Sequence, residues 1–314
     1  MGYIQINKAR NGNKMRMPAV IFLLFCIFFH NLYGVNMSND RAEEVKMYEK
    51  VRDALRSKDT YGHWPEGLLP LSQMRTDNSE SIRREICFAI VEHLRNTNGT
   101  TADRRTLVEE LTKSLQDPSP AVCNNVAEWL CVLKPDDFGP GAKIYIEKAF
   151  RKKHTKQLIL LSGIADVSYV NEKIKTLVFI SSVTPAVGRF YGTLEWGAEL
   201  VRARKGDKNS IKNVLKAVED ENDMITKITV LLRELEYVHQ PEIVIYLKKY
   251  LDSDERLEAV KPTVTGAKCA QYAAVALAQI LESFPVVKED INYTEKELNI
   301  CRQWMSIQAG WIFK

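Results

Sequence analysis

Beyond residue 40, apolar side chains recur at every third or fourth position, the spacing of one face of an α-helix. Ile82, Ile86, Ile90 and Leu94 form one such stripe, and Leu107, Leu111 and Leu115 a second. Val122, Val126 and Leu130 form a third; Ile211, Leu215 and Val218 a fourth. Ile225, Ile228, Leu231 and Leu235 follow, then Ile243, Leu247 and Leu251, then Ala270, Ala274, Leu277 and Leu281. No stretch alternates with the two-residue period of a half-buried strand. Residues 176–183 are rich in β-branched side chains, but Val170, Ile174, Leu177 and Val178 lead into them at helical spacing. The predicted helices are short and separated by compact turns. Pro118, Pro120, Pro185 and Pro241 mark starts, because the first turn of a helix does not need the N–H that proline lacks. Pro285 follows a helix end, and Asp117 and Asn209 are expected to be N-caps or turn residues.

The stripes repeat at a longer period. SIKNVLKAVED (210–220) aligns with EIVIYLKKYLD (242–252), pairing Ile211 with Ile243, Leu215 with Leu247, Lys216 with Lys248 and Asp220 with Asp252. LVEELTKSLQD (107–117) has the same outline of spaced leucines running into an acidic turn. A period in the thirties with two helices per unit predicts a stack of hairpins. One hairpin exposes an apolar face that only the next can cover. The helix expected over 41–57 (Val45, Tyr48, Val51, Leu55) would begin the stack, and MSIQAGWIF (305–313), with Trp304 before it, would close it.

These segments resemble a known superfamily. QDPSPAVCNNVAEWL (116–130) looks like the turn and second helix of a HEAT repeat, where an Asp-Pro-type turn precedes a small-residue-rich amphipathic helix. RARKGDKNSIKNVLKAVEDENDMITKITVLLREL (202–235) resembles a whole unit. YLDSDERLEAV (250–260) and KCAQYAAVALAQIL (268–281) look like one more with a lengthened turn. The resemblance covers roughly 79–282 and is weaker over 135–205. It implies an all-α fold in which residues 35–314 form an α-solenoid, a right-handed superhelix of HEAT-like helical hairpins. It identifies an architecture and no single role.

The first 34 residues differ in kind. Lys8, Arg10, Lys14 and Arg16 precede an unbroken apolar run from Ala19 to Phe29, with Pro18 before it and His30-Asn31 after it. That run is shorter than the roughly 20 residues of a spanning helix. A short apolar core behind a basic flank is the pattern of an export signal. Residues 1–34 are therefore expected to be a signal peptide or a signal anchor. Gly34 suits a cleavage site whereas the bulk of Leu32 does not, so both forms stay open. Phe25 before Cys26 does not fit a lipoprotein signal. The expected location is periplasmic, extracellular or membrane-anchored facing outward, with membrane contact only through an uncleaved N-terminal segment. Composition reinforces the division. The four basic residues account for the whole formal charge of +4, since the segment holds no acidic residue. The remainder is formally neutral and lacks the basic bias of a nucleic-acid binder.

Candidate chemistry is sparse. Cys87, Cys123, Cys131, Cys269 and Cys301 include no CxxC and no ligand spacing with histidine, and read as small buried hydrophobes. Cys123 and Cys131 are too far apart along one helix to bridge, whereas Cys269 and Cys301 stand on elements that neighbouring repeats would bring together. His63, His93, His154 and His239 are isolated, and the paired His-Glu motifs of iron-binding helical-repeat enzymes are absent. No phosphate loop, GxSxG or HExxH occurs. No catalytic, cofactor or metal residue is assigned. Two groups are carried forward as a tentative binding surface. Tyr61, His63 and Trp64 lie in a loop over 58–78 that either offers binding anchors or folds over the solenoid end. Arg151, Lys152 and Lys153, followed by His154 and Lys156, form the densest basic run, which suits either a polyanion or a solvated helix end. Phe190, Tyr191 and Trp196, among Gly188, Gly192 and Gly197, are read as core. Asn36, Asn98 and Asn292 begin N-x-Ser/Thr sequons. The expectation is an exported non-catalytic helical-repeat scaffold for a protein or peptide partner, with no cofactor and no nucleic acid. The alternatives are an anchored spacer of the cell envelope, or an enzyme with a site dispersed over the repeats.

Overall fold

The computed structural model describes residues 79–96, 101–178, 190–256, 268–288, 290–308 and 310–313. The chain divides into two units, Met1–Ser57 and Lys58–Lys314, and every described residue belongs to the second. The expected export segment, the 41–57 helix and the 58–78 loop therefore lie outside the described residues. No described helix is long and apolar enough to cross a membrane.

The described residues are all-α. In chain order the helices are α1 (Glu80–Asn96), α2 (Thr101–Lys113), α3 (Pro120–Leu130), α4 (Pro140–Lys152), α5 (Lys156–Ala165) and α6 (Ser168–Thr176). They continue with α7 (Leu194–Arg204), α8 (Lys208–Asp220), a composite α9 over 224–237, α10 (Pro241–Leu251), α11 (Cys269–Ile280) and α12 (Glu295–Ile307). Helix α9 carries a π-helical segment at Lys227–Leu231 and ends in a 3-10 turn. The only strand-like pairs among the described residues are isolated bridges, Arg256 with Lys268 and Leu281 with Phe313.

Local chemistry explains the boundaries. Proline occupies the first turn of α3, α4 and α10. The N-cap side chains are Ser119, Thr155, Thr193, Asp207, Asp223 and Thr294, each accepting a backbone N–H two or three residues on. Of the two residues expected as N-caps or turn residues, Asp117 is a turn residue and Asn209 is neither. Asp117 sits in the turn and accepts the Ser119 N–H at 2.8 Å, while Asn209 lies inside α8 behind Asp207. Gly206, at φ +87, ends α7: Asp207 N–H reaches Arg202 O at 3.1 Å and Gly206 N–H reaches Ala203 O at 2.9 Å, the paired bonds of a left-handed helix stop. Helix α6 stops at Thr176 with Leu177 extended, so the expected continuation through Leu177 and Val178 does not form.

The helices pack in two rows. Helices α1 and α3, α3 and α5, and α5 and α7 touch in succession, and α9 continues this odd row to α11. In the even row α2 meets α4, α4 meets α6, α8 meets α10 and α10 meets α12. The predicted stripes lie between the rows: Ile82, Ile86, Ile90, Leu94, Val122, Val126 and Leu130 are buried, as are Ile243, Leu247 and Leu251. The stripe on α9 is corrected at one end, because Ile225 is 41% exposed while Ile228, Leu231 and Leu235 are sealed. Helix α11 is buried on nearly all sides, and its alanines 270, 273, 274, 276 and 278 allow close approach by its neighbours. The C-terminal segment is mixed. Met305 is buried and Trp304 meets Phe284 edge to face, but Ile307 and Ile312 are exposed. Residues 312 and 313 return to the end of α11, where Glu282 N–H donates to Ile312 O at 2.9 Å.

Polar contacts recur at the same interval as the stripes. Arg83 makes a two-bonded pair with Asp117, Arg104 with Asp137, and Lys208 pairs with Glu242, separations of 33 or 34 residues. Lys216–Asp220 on α8 is repeated 32 residues later as Lys248–Asp252 on α10, each pair at 2.5 Å. A second device is the capping of helix-end carbonyls by arginine. Arg104 donates to Leu94 O at 2.5 Å, Arg202 to Ile174 O and Leu177 O at 2.8 and 2.9 Å, Arg204 to Tyr237 O at 2.5 Å, and Arg302 to Leu251 O at 2.8 Å. Exposed Arg105 does the same for the 3-10 turn at Asp136.

Arg104–Asp137 joins these two devices. Burial alone would raise the Asp137 carboxyl's pKa. The hydrogen bonds and charge of Arg104, together with the Lys134 N–H, outweigh this and hold it below the ordinary value of 3.8. Asp137→Ala strands a half-buried guanidinium and is expected to cost about 2–4 kcal/mol in urea unfolding near neutral pH. A depressed carboxylate stabilises above its unfolded pKa and loses that contribution as pH falls through its folded one. The deficit of the variant should therefore shrink in acid.

Candidate functional site

A cleft of about 1110 Å³ opens among the described residues. Its wall is built almost wholly from the odd row and the turns that follow it. The end of α1 supplies Leu94 and Arg95; the end of α3 supplies Glu128, Cys131 and Val132. Lys156, Gln157 and Leu160 come from α5, Leu200 and Arg204 from α7, and Gln279 from α11. Helix α9 contributes most, with Thr229, Val230, Arg233, Glu234, Glu236 and Tyr237, followed by His239. The π-helical turn explains that share. Its wider register keeps Ile228, Leu231 and Leu232 in the core while Thr229, Val230 and Arg233 line the cleft.

The floor is organised around Tyr237. Its hydroxyl donates to Leu160 O at 2.8 Å, and burial raises its pKa well above the usual range. This reach depends on Gly163, since a Cβ there would stand 2.4 Å from the Tyr237 Oη and 2.7 Å from a Val201 methyl. Beside it, Lys156 Nζ donates to Glu234, whose other oxygen accepts the Trp196 Nε1–H at 2.7 Å. Trp196 is sealed and meets Phe190 edge to face at 5.1 Å, so the aromatic group read as core packs as core. The Arg204 guanidinium lies 5.0 Å from the Tyr237 ring centroid. Burial pulls its pKa down, opposed by Tyr237 and Cys131.

Two further groups define what the wall can do. Burial pushes the Cys131 thiol up to about 12, and its Sγ donates to Ala127 O at 3.2 Å. A protonated, hydrogen-bonded thiol is a poor nucleophile. Burial pushes the Glu236 carboxyl up to about 7; Arg233 opposes this from 3.6 Å, and Glu234 adds to it. Its Oε1 is buried with no hydrogen-bond partner in the fold. The wall therefore offers ionic and hydrogen-bonding capture, with exposed Val132 and Val287 as apolar contacts. Among the described residues no group of three or more His, Cys, Asp or Glu is placed to hold a metal.

Only the basic half of the sequence-derived binding surface belongs to the described residues. Tyr61, His63 and Trp64 lie outside the described residues. Arg151, Lys152 and Lys153 close α4, and none of them lines the cleft. Arg151 pairs with Glu147 at 2.7 Å and stacks 3.5 Å above the Tyr169 ring centroid, Lys152 is exposed, and Lys153 Nζ reaches Cys123 Sγ at 3.5 Å. Of the histidines, His154 contacts Phe150 edge to face, while His239 reaches the cleft and stacks on Phe313 at 6.4 Å. All five described cysteines are free, Cys269 and Cys301 included. The groups that sequence reading missed are Arg204, Glu234, Glu236 and Tyr237, whereas Lys156, noted at the end of the basic run, does line the cleft. One signal was available: Arg204 and Tyr237 stand 33 residues apart, the separation of Arg104 and Asp137.

Two outcomes follow from this geometry. An alanine replacing a glycine inside a helix ordinarily stabilises it by up to about 1 kcal/mol. Gly163→Ala should instead destabilise by about 1–3 kcal/mol, because the methyl meets Tyr237 and Val201, and thermal unfolding would show the sign. For Glu236, a folded pKa of about 7 against an ordinary 4.5 means the folded chain keeps a proton that the unfolded chain has released. Stability then falls as pH rises through that window. Glu236→Gln removes the penalty, raising stability by roughly 1–3 kcal/mol at mildly alkaline pH with little change near pH 4. Comparison with known proteins adds no identity to this cleft: no family model, curated protein or solved structure matches the chain.

Proposed function

We propose that the chain is an exported, non-catalytic helical-repeat scaffold that receives a protein or peptide partner in the cleft of the odd row. The observation that carries this reading is the cleft's construction: successive helices of one row each contribute their ends to a single concavity. Stacked hairpins use such extended surfaces for binding. The HEAT-type solenoid is supported by the row-wise packing, by the ion pairs 33 or 34 residues apart, and by the Lys–Asp pair repeated at 32. Export rests on the basic flank and apolar run of residues 1–34, which also carry the whole formal charge. With that segment set aside, the balanced charge favours a protein or peptide over a nucleic acid. The wall's polar groups are largely committed to one another, as in Lys156–Glu234 and Arg104–Asp137, which suits recognition more than turnover.

The test places a photo-crosslinking residue at Val132 or Val287, two exposed positions of the cleft wall, and at Lys152 on α4 as control. The same partner should be captured in the exported or outward-facing fraction from both wall positions and not from position 152. Equal capture at all three, or none at the wall, would sink the cleft as the binding surface. Peptide sequencing of the mature N terminus in the same sample tests export.

A further inference from the structure

We infer that the cleft is built to receive a carboxylate, and that the Arg204 guanidinium is the group that holds it: the occupant is an extended peptide segment whose acidic side chain seats on Arg204. This deepens the reading of the cleft as a peptide- or protein-binding surface and rests on it.

The argument begins from a comparison within the fold. Besides the exposed Arg105, four part-buried arginines donate to carbonyls at the ends of described helices, the 3-10 turn that closes α9 included. Three of them also carry a carboxylate: Arg104 holds Asp137, Arg202 holds Glu199, and Arg302 holds Glu295 at 2.8 Å. Arg204 is the exception. Its one protein hydrogen bond runs from Nη1 to Tyr237 O, and its charged surroundings consist of the Tyr237 hydroxyl and the Cys131 thiol. Both of these are protonated at neutral pH, so neither offsets the positive charge. A guanidinium has five N–H donors in a rigid fork. In Arg204 the donors beyond Nη1 have no protein acceptor among the described residues.

A part-buried cation without a counter-ion has lost some of its hydration, and an anion that reaches its open donors restores part of that loss. Four of the other wall cations are already engaged: Arg95 with Glu92, Arg104 with Asp137, Lys156 with Glu234, and Arg233 with Glu236 at 3.6 Å. Exposed Lys134 has its backbone N–H on Asp137 and no ion pair among the described residues. Glu128 and Glu282 are the exposed acidic groups of the wall, and neither is among the charges acting on Arg204. The uncompensated charge is thus localised rather than spread. A single planar carboxylate fits it better than a polyanion, since a carboxylate takes two parallel N–H bonds from one guanidinium. The cleft is also somewhat larger than the roughly 300–1,000 Å³ of a small-molecule pocket. Its wall combines exposed valines with the amides of Gln157 and Gln279, and these suit the side chains and backbone on either side of an acidic residue.

The test uses the full chain, immobilised, and two pools of short peptides that are degenerate except for a fixed central Glu or a fixed central Gln. The expected result is retention of the Glu pool at least about ten-fold above the Gln pool, equivalent to about 1.4 kcal/mol. Arg204→Gln should retain the two pools equally. Arg204→Lys, which keeps the charge but loses the fork, should retain the Glu pool at an intermediate level. Circular dichroism and melting temperature establish that each variant is folded, and Lys152→Gln serves as a surface control that should behave as the native chain. If the native protein retains both pools equally, the cleft binds peptide but the carboxylate assignment is overturned. If it retains neither pool, the cleft reading itself fails along with it. Loss of retention in millimolar phosphate, but not in chloride of equal ionic strength, would make Arg204 a small-anion site and overturn the peptide occupant.

Discussion

A helix ends in carbonyls that its own backbone cannot satisfy, and in this fold an arginine from another helix supplies the missing donors. Arg104, Arg202, Arg204 and Arg302 each reach such an end. The guanidinium is well suited to the task, because its positive charge lies favourably at the negative pole of the helix dipole while its fork leaves donors over for a second partner. Where that second partner is a carboxylate, the contact locks a second element as well. Asp137 ties Arg104 to the turn after α3, and Glu199, itself bonded by Asn213 at 2.8 Å, ties Arg202 to α8. The apolar stripes draw the helices together without direction, and these directed contacts fix which helix end meets which turn.

Between α8 and α10, which start at Lys208 and Pro241, the two kinds of interaction keep nearly one interval. The Lys208–Glu242 pair spans 34 residues and the Lys–Asp pair repeats after 32, so both follow the spacing of those two helices. The cleft is a by-product of this arrangement. One row turns its helix ends inward, and the polar groups that finish those ends become the wall.

Much of the fold was legible in the sequence because helical burial leaves a strong periodic trace. The stripes at Ile82–Leu94, 122–130 and 243–251 became buried faces, and the match of Lys216-Asp220 to Lys248-Asp252 became two ion pairs of equal length. The errors lie where local chemistry rather than period decides. Asn209 has the right composition for a cap but stands two residues past Asp207, since the left-handed Gly206 fixes the start of α8. The helix over Val170–Val178 was extended too far because its stripe continues past Thr176, where Leu177 turns extended after one last bond to Ile174 O. The π-helical turn in α9 left no periodic signal, although it moves Arg233 to the cleft wall.

The site was less legible than the fold because its chemistry is one of absence. Sequence reading favours dense clusters, and so selected Arg151, Lys152 and Lys153, whose leading member already has Glu147 and Tyr169 against it. Arg204 sits in RARKGD, between Arg202 and Lys205, and nothing in that string separates it from its neighbours. Only the three-dimensional partners do: Arg202 has Glu199, Lys205 has Asp166 at 3.2 Å, and Arg204 has a carbonyl and a phenol. Charge in a wall is informative when it is left over after the fold has taken its share. A basic run on a helix end is cheap to maintain in water, whereas a part-buried guanidinium among neutral groups is less so. Tyr237 compounds the asymmetry, because its hydroxyl is spent on Leu160 and its ring, held over Arg204, stabilises the cation without neutralising it.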